Sequence, residues 1–191
     1  MSDTTTTETT ETATTNEIPR IYVACLAAYN EGKLHGAWIY ADQGAYALAV
    51  EAQLILDTSP VRGGEEFAIH DYEGFKGFKV GEYTSLEDVS LMARGIVEYG
   101  APFSLYVENI GLEYIDRDTL KEDFEESFQG TYDDMSEFAE QLLEDCGDFD
   151  AVPEYLRAYI DVKAFARDLI LGGDYWTVDA PGCQVYVFRS N

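Results

Sequence analysis

Asp133, Glu137, Glu140 and Glu144 follow one another at steps of four, three and four residues. That spacing stacks side chains on one face of an α-helix, with roughly 5–6 Å between neighbouring Cβ atoms. Three like-charge pairs of this kind oppose the helix by about 0.6–1.5 kcal/mol together, at about 0.2–0.5 each. No Lys or Arg lies between Asp133 and Asp150 to relieve them. An ordinary solvated face would intersperse bases, so an unrelieved row of carboxylates points to a cation, a proton-transfer pair, or a cationic partner surface.

The first two chemistries find little support in the residue pattern. Glu144-Asp145-Cys146-Gly147-Asp148-Phe149-Asp150 offers four carboxylates, yet lacks the alternating ligand spacing and the position-12 Glu of a calcium loop. No metal site or cofactor is therefore expected beyond weak adventitious binding. His35 and His70 are the only histidines, neither sits near a recognisable nucleophile motif, and no catalytic residue is assigned. Phosphate-binding loops, dinucleotide fingerprints and H-E-x-x-H are missing, and Gly74-Phe75-Lys76-Gly77 matches a G-x-x-G nucleic-acid clamp only by coincidence.

Total charge supports the third chemistry. Against 12 basic residues stand 37 acidic ones, a net of -25 in 191 residues. Nucleic acid and anionic membrane surfaces are excluded as partners by repulsion. The charge is also uneven. Residues 1–17 carry 4 acids and no base, 18–80 carry 8 and 5, 81–150 carry 20 and 3, and 151–191 carry 5 and 4. A halophile surface would spread its acids, whereas this distribution favours one dedicated acidic region. At one charge per about 1.7 Å of duplex axis, 25 net negatives match roughly 40 Å of DNA, and a dimer's 50 roughly 85 Å.

The elements that must position this charge follow from periodicity and turn signals. Residues 1–17, with nine Thr and no core former, are expected to be a disordered acidic tail. IYVACLA at 21–27 and LHGAWIY at 34–40 flank Asn30-Glu31-Gly32 and predict a β-hairpin. Asp42 is expected to cap a helix over 45–56, and a strand follows at 66–72. Ser85 and Asp88 suggest a capping box for a helix with Leu86, Val89, Met92, Ala93 and Ile96 on its buried stripe, ended by Gly100. Residues 103–117 are a short helix or connector, and 118–130 fit either helix or strand because Phe124 and Phe128 suit both periods. A helix from Asp133 or Asp134 to Asp145, another after Asp161, and a hairpin of 175–178 with 184–188 complete the chain.

The expected fold is α+β, an elongated chain of small domains with antiparallel sheets and a helical middle segment. The expected division is an N-terminal αβ domain at 18–80, a helical middle domain at 81–117 and a C-terminal α+β domain at 118–191. No run of apolar residues reaches the length of a membrane span and no signal peptide is recognisable, so a cytoplasmic location is expected. Cys25, Cys146 and Cys183 are expected to be reduced structural thiols.

Five stretches resemble the ArdA antirestriction proteins: IYVACLAAYNEGKLHGAWIY at 21–40, EEFAIHDYEGF at 65–75, VGEYTSLEDVS at 80–90, QGTYDDMSEFAEQLLEDCG at 129–147 and VPEYLRAYIDVKAFARDL at 152–169. The Y-N-x-G turn, the F-A-I-H-D-Y strand and the Y-I-D-x-x-A-F-A-R-D-L helix carry the resemblance best. It implies a DNA mimic of mobile genetic elements, a homodimer whose carboxylates imitate duplex phosphates. The implied partner is the DNA-binding core of a type I restriction-modification methyltransferase, with cleavage and often methylation blocked. The resemblance further implies a strand at 124–129 in a C-terminal sheet.

The resemblance transfers acidic character to Asp133, Asp134, Glu137, Glu140, Glu144 and Asp145. Charge density adds Asp116, Asp118, Glu122, Asp123, Glu125 and Glu126. A dimer interface is expected at Tyr175, Trp176, Val185, Tyr186, Val187 and Phe188, because residues 151–191 carry a net charge of only -1 and two acidic chains repel elsewhere. An acidic adaptor or chaperone-like binder of a basic DNA-binding protein is the rival expectation.

Overall fold

The computed structural model describes residues 17–190, so the tail expected at 1–17 lies outside the described residues except for Glu17. The chain is α+β, with two three-stranded antiparallel sheets and eight α-helices among the described residues. It forms two compact units. One comprises the described residues up to Gly74 together with Glu82–Val97; the other comprises Phe75–Gly81 together with the described residues from Glu98 onward.

In the first unit β1 (Arg20–Cys25) is the central strand, flanked by β2 (Gly36–Tyr40) and β3 (Phe67–Glu73). Alternation along β1 sends Ile21 and Val23 into the core, where Ile21 pairs with Ile39. Arg20 and Tyr22 point the other way, onto Trp38. Gly36 is required where it stands, because a Cβ there would lie 2.5 Å from the Val23 carbonyl oxygen.

The expected hairpin needs correction. β1 and β2 do pair, but Leu26–Asn30 forms the short helix α1 rather than extending the strand. Ala27 and Ala28 favour helix, and Ala28 is fully buried in that conformation. Asp42 does not cap α2 (Ala45–Asp57), whose N-cap is Gly44 without a side-chain bond. Instead Ser90 Oγ donates to the Gln43 carbonyl at 2.6 Å. Ser90 belongs to α3 (Leu86–Tyr99), where Ser85 Oγ accepts the Asp88 N–H at 3.1 Å as the capping signal predicts. Val89, Met92, Ala93 and Ile96 are buried as expected, and Leu86 is half-buried.

The second unit is a sandwich of three layers. Its sheet has the order β4 (Phe128–Tyr132), β6 (Gln184–Arg189), β5 (Tyr175–Ala180). On one face Trp176 stacks on Phe188 at 4.3 Å between ring centres, and Tyr106 of α4 (Ala101–Ile110) and Phe124 of α5 (Leu120–Ser127) close over Phe188 at 5.6 and 6.4 Å. On the other face Phe138 of α6 (Met135–Asp145) packs edge-on against Tyr132 and Tyr175, and α6 lies against α8 (Val162–Leu171). The single turn α7 (Glu154–Arg157) joins α6 to α8.

The strand expected at 124–129 is corrected to helix through Ser127, with β4 starting at Phe128. Phe124 and Phe128 stack at 5.4 Å across that junction, which is why both periods fit them. A bulge between Phe128 and Gly130 then turns Tyr132 toward the α6 face.

Candidate functional site

α6 begins and ends on signals carried by its own sequence. Asp134 is the N-cap, its Oδ1 accepting the N–H groups of Ser136 at 2.7 Å and Glu137 at 3.0 Å. These bonds, Glu137's first, hold the Asp134 carboxyl below its ordinary range. At the other end Gly147 takes φ +74°; its N–H reaches the Glu144 carbonyl and that of Asp148 reaches Leu143, the paired bonds of a Schellman turn.

The structure adjusts the expected acidic row. Asp133 precedes the N-cap, so the helical face proper carries Glu137, Glu140 and Glu144. Asp133 nevertheless remains fixed beside it, because its N–H donates to Glu137 Oε2 at 2.6 Å and its Oδ1 accepts from Gln184 Nε2 at 3.0 Å. Glu140, Glu144 and Asp145 project from the same exposed helix, with only a 3.4 Å contact from Gln141 to Asp145.

The second group sits on and before α5. Asp116 Oδ1 accepts the Asp118 N–H at 3.0 Å, and Asp123 Oδ2 accepts the Thr119 hydroxyl at 2.7 Å. Glu125 accepts the Tyr99 hydroxyl. Asp118, Glu122 and Glu126 are exposed carboxylates. Of the twelve, only Asp123 is half-buried; the others are exposed. Arg20, Lys33, Lys79, Lys121, Arg157 and Arg167 pair with carboxylates outside the twelve, while the charge of Lys163 helps hold the Asp134 carboxyl low. Lys121, next to Glu122 in sequence, is bound to Glu98 at 2.7 Å. That bond lowers the Glu98 carboxyl and keeps Lys121 protonated.

The twelve do not converge on one patch. α5 and α6 lie in different layers of the second unit, so the carboxylates cover two of its faces, an arrangement that presents a field of charge rather than a pocket. Asp148, which the sequence pattern assigns to a candidate cation loop, is equally exposed. Asp150 in that loop meets Arg157 at 3.4 Å, and among the described residues no three His, Cys, Asp or Glu side chains gather as a metal site.

Both histidines and Cys25 serve structure, and the expectation of structural thiols is corrected for the exposed Cys146 and Cys183. His35 Nε2 donates to the Ile55 carbonyl at 2.7 Å, and His70 packs edge-on against Tyr29. Cys25 is buried against Ser59, while Cys146 and Cys183 are exposed thiols. Of the expected interface residues, Val187 and Phe188 are fully buried and Tyr186 nearly so within the unit's own core, β6 being the central strand. Tyr175, Trp176 and Val185 are half-buried. No helix among the described residues is long and apolar enough to cross a membrane.

Comparison with curated proteins returns no match. The family model described as antirestriction protein (ArdA) matches residues 21–182, most of the chain, spanning both units and every one of the twelve carboxylates. This chain belongs to the ArdA antirestriction protein family.

Proposed function

We propose that this protein inhibits type I restriction-modification enzymes by occupying the groove in which the methyltransferase core holds DNA, its carboxylates standing where duplex phosphates would. The observation that carries this reading is the exposed set at 116–145, whose neighbouring bases Lys121 and Arg157 pair with Glu98 and Asp150 outside the set. Neutral donors order seven of these carboxylates without cancelling their charge, so they can stand in for duplex phosphates at a cationic groove. Blocking the groove prevents cleavage and, because methylation uses the same core, modification as well. The protein then works in the cytoplasm, where incoming DNA meets the restriction enzyme. Plating efficiency of unmodified phage tests this. It should rise by orders of magnitude in a host with a type I system and stay unchanged in one without, and an equal effect in both hosts would sink it.

A homodimer extends the charged surface. With β6 central, the available contacts in 151–191 are the outer edge of β5, with Tyr175, Trp176 and Val185 nearby, and the exposed side chains Tyr155, Tyr159 and Leu171. Light scattering should give twice the 21.4 kDa chain mass, and Tyr159→Glu with Leu171→Glu should give a folded monomer.

A further inference from the structure

We infer that the outer face of α2 is a weak contact between two copies of this chain, made by residues other than those of the 151–191 surface. α2 is apolar on both sides. Leu48, Ala52 and Leu56 enter the core of the first unit, yet Tyr46, Val50 and Leu54 remain 84%, 43% and 58% exposed on the opposite side. Ala49 and Gln53, also exposed, add no charge to that face. The two carboxylates of the helix are held within its own unit: Glu51 accepts from Gln43 Nε2 at 3.0 Å, and Asp57, on the last turn, accepts from Gln53 Nε2 at 2.8 Å. A helix that is apolar all round is ordinarily covered on all sides.

Charge identifies what covers this face. A basic surface is complementary to the rows of carboxylates and gains nothing from an uncharged helix, whereas two chains of net charge -25 can approach only where charge is absent. Residues 1–16 supply Met1 and Ala13 as their only apolar side chains, too little to cover the face. The face is also self-complementary. Tyr46, Val50 and Leu54, at steps of four, form a single ridge. Around a twofold axis at Val50, an antiparallel partner helix sets Val50 against its own copy and Tyr46 against Leu54. Asp57 then stands about 21 Å from its own copy, beyond the screening length of physiological salt. Such a contact buries roughly 600–800 Å², short of the roughly 1,200–2,000 Å² of a stable interface, so it forms only at high concentration. Salt screens the repulsion between copies and therefore tightens this contact, the reverse of its effect on carboxylates bound in a basic groove.

The contact does not depend on the proposed function, and sedimentation equilibrium of the full chain tests it without any restriction enzyme. Between about 1 µM and about 1 mM chain, the average mass should rise toward twice its dilute value, whatever that value is, and should rise at lower concentration when salt is added. Val50→Glu should stay folded, hold its dilute mass throughout, and inhibit restriction as wild type does in dilute solution. Cys25 is buried, so in a Cys146→Ser, Cys183→Ser background an introduced cysteine is the exposed thiol. Oxidation should cross-link Val50→Cys but not Tyr46→Cys or Leu54→Cys, each of which lies about 12 Å along the axis from its own copy, past the reach of a disulfide. A constant wild-type mass, a rise that Val50→Glu leaves intact, weakening by salt, or equal cross-linking at all three positions would overturn the contact. Loss of inhibition by folded Val50→Glu in dilute solution would assign the face to the restriction enzyme and overturn it as well.

Discussion

In the N-terminal sheet Glu73 takes Nε and Nη2 of Arg20 at 2.8 and 2.6 Å, and in the turn beyond β1 Glu31 takes Lys33 at 2.8 Å. Around α5 and α6 the partners are backbone N–H groups, hydroxyls and two amides, from Asp118, Asp133, Ser136, Glu137, Thr119, Tyr99, Gln141 and Gln184. Arg20 and Lys33 neutralise Glu73 and Glu31, whereas the bonds to these carboxylates around α5 and α6 come from uncharged donors. A charged surface can thus be made rigid without being made neutral, provided its donors are uncharged. Like-charge crowding is the cost. Two neighbouring pairs on the α6 face, Glu137 with Glu140 and Glu140 with Glu144, oppose that helix by about 0.4–1 kcal/mol, and the Asp134 cap and the Gly147 turn offset it.

The largest expected effect falls on the scaffold behind the acidic region. Phe124 is 1% exposed and touches the rings of Tyr99, Phe103, Tyr106, Phe128 and Phe188. Phe124→Ala should cost about 3–5 kcal/mol in denaturant unfolding of the second unit, and a loss below 1 kcal/mol would mean that these rings do not anchor the α5 layer. Next, changing Asp133, Glu137, Glu140 and Glu144 together to Asn or Gln should leave the fold intact and reduce the salt slope of inhibition by about 3 to 4, if each carboxylate replaces one phosphate. Glu140→Gln alone should change inhibition only slightly. One substitution that abolished inhibition in a folded protein would reveal a localised site instead of a field.

Smaller effects concern the caps. Asp134→Ala should destabilise by about 1 kcal/mol through its lost N-cap. Since the folded-state pKa of Asp134 is depressed, its contribution is complete above the unfolded carboxylate range near pH 4 and disappears as pH falls through the folded value. Melting curves of wild type and Asp134→Ala should therefore converge at the acid end; a gap that stays constant down to pH 2 would exclude the charged cap. Smallest of all, Arg20→Met should leave both the melting midpoint and inhibition nearly unchanged, because an exposed ion pair contributes little. Marked loss of inhibition there would extend the functional surface into the N-terminal sheet, where Arg20 neutralises Glu73.

Much of this contrast is legible in the sequence. Asp134, Gly147 and Asp161 act as terminal signals because capping is local, settled by residues within a few positions of one another. The missing bases from Asp133 to Asp150 are likewise a linear fact. What periodicity could not give was long-range. Gln184 reaches Asp133 across 51 positions and Tyr99 reaches Glu125 across 26, so the neutral donors carry no local mark. Helix over 120–127 wins against strand because Leu120, Phe124 and Ser127 all meet the core at helical spacing, a preference set by rings from α4 and β6. The central position of β6 also escaped the pattern, since a hairpin signal does not tell which of its strands receives β4.

Whether exposed, unneutralised carboxylates compete with DNA for one groove is decided most directly by equilibrium titration of a labelled duplex bound to a type I methyltransferase core, repeated over a range of salt concentrations. Full displacement of the duplex is expected, with an inhibitor affinity that falls linearly in log salt and needs no metal or nucleotide. A stable ternary complex of enzyme, duplex and inhibitor, or an affinity indifferent to salt, would contradict it.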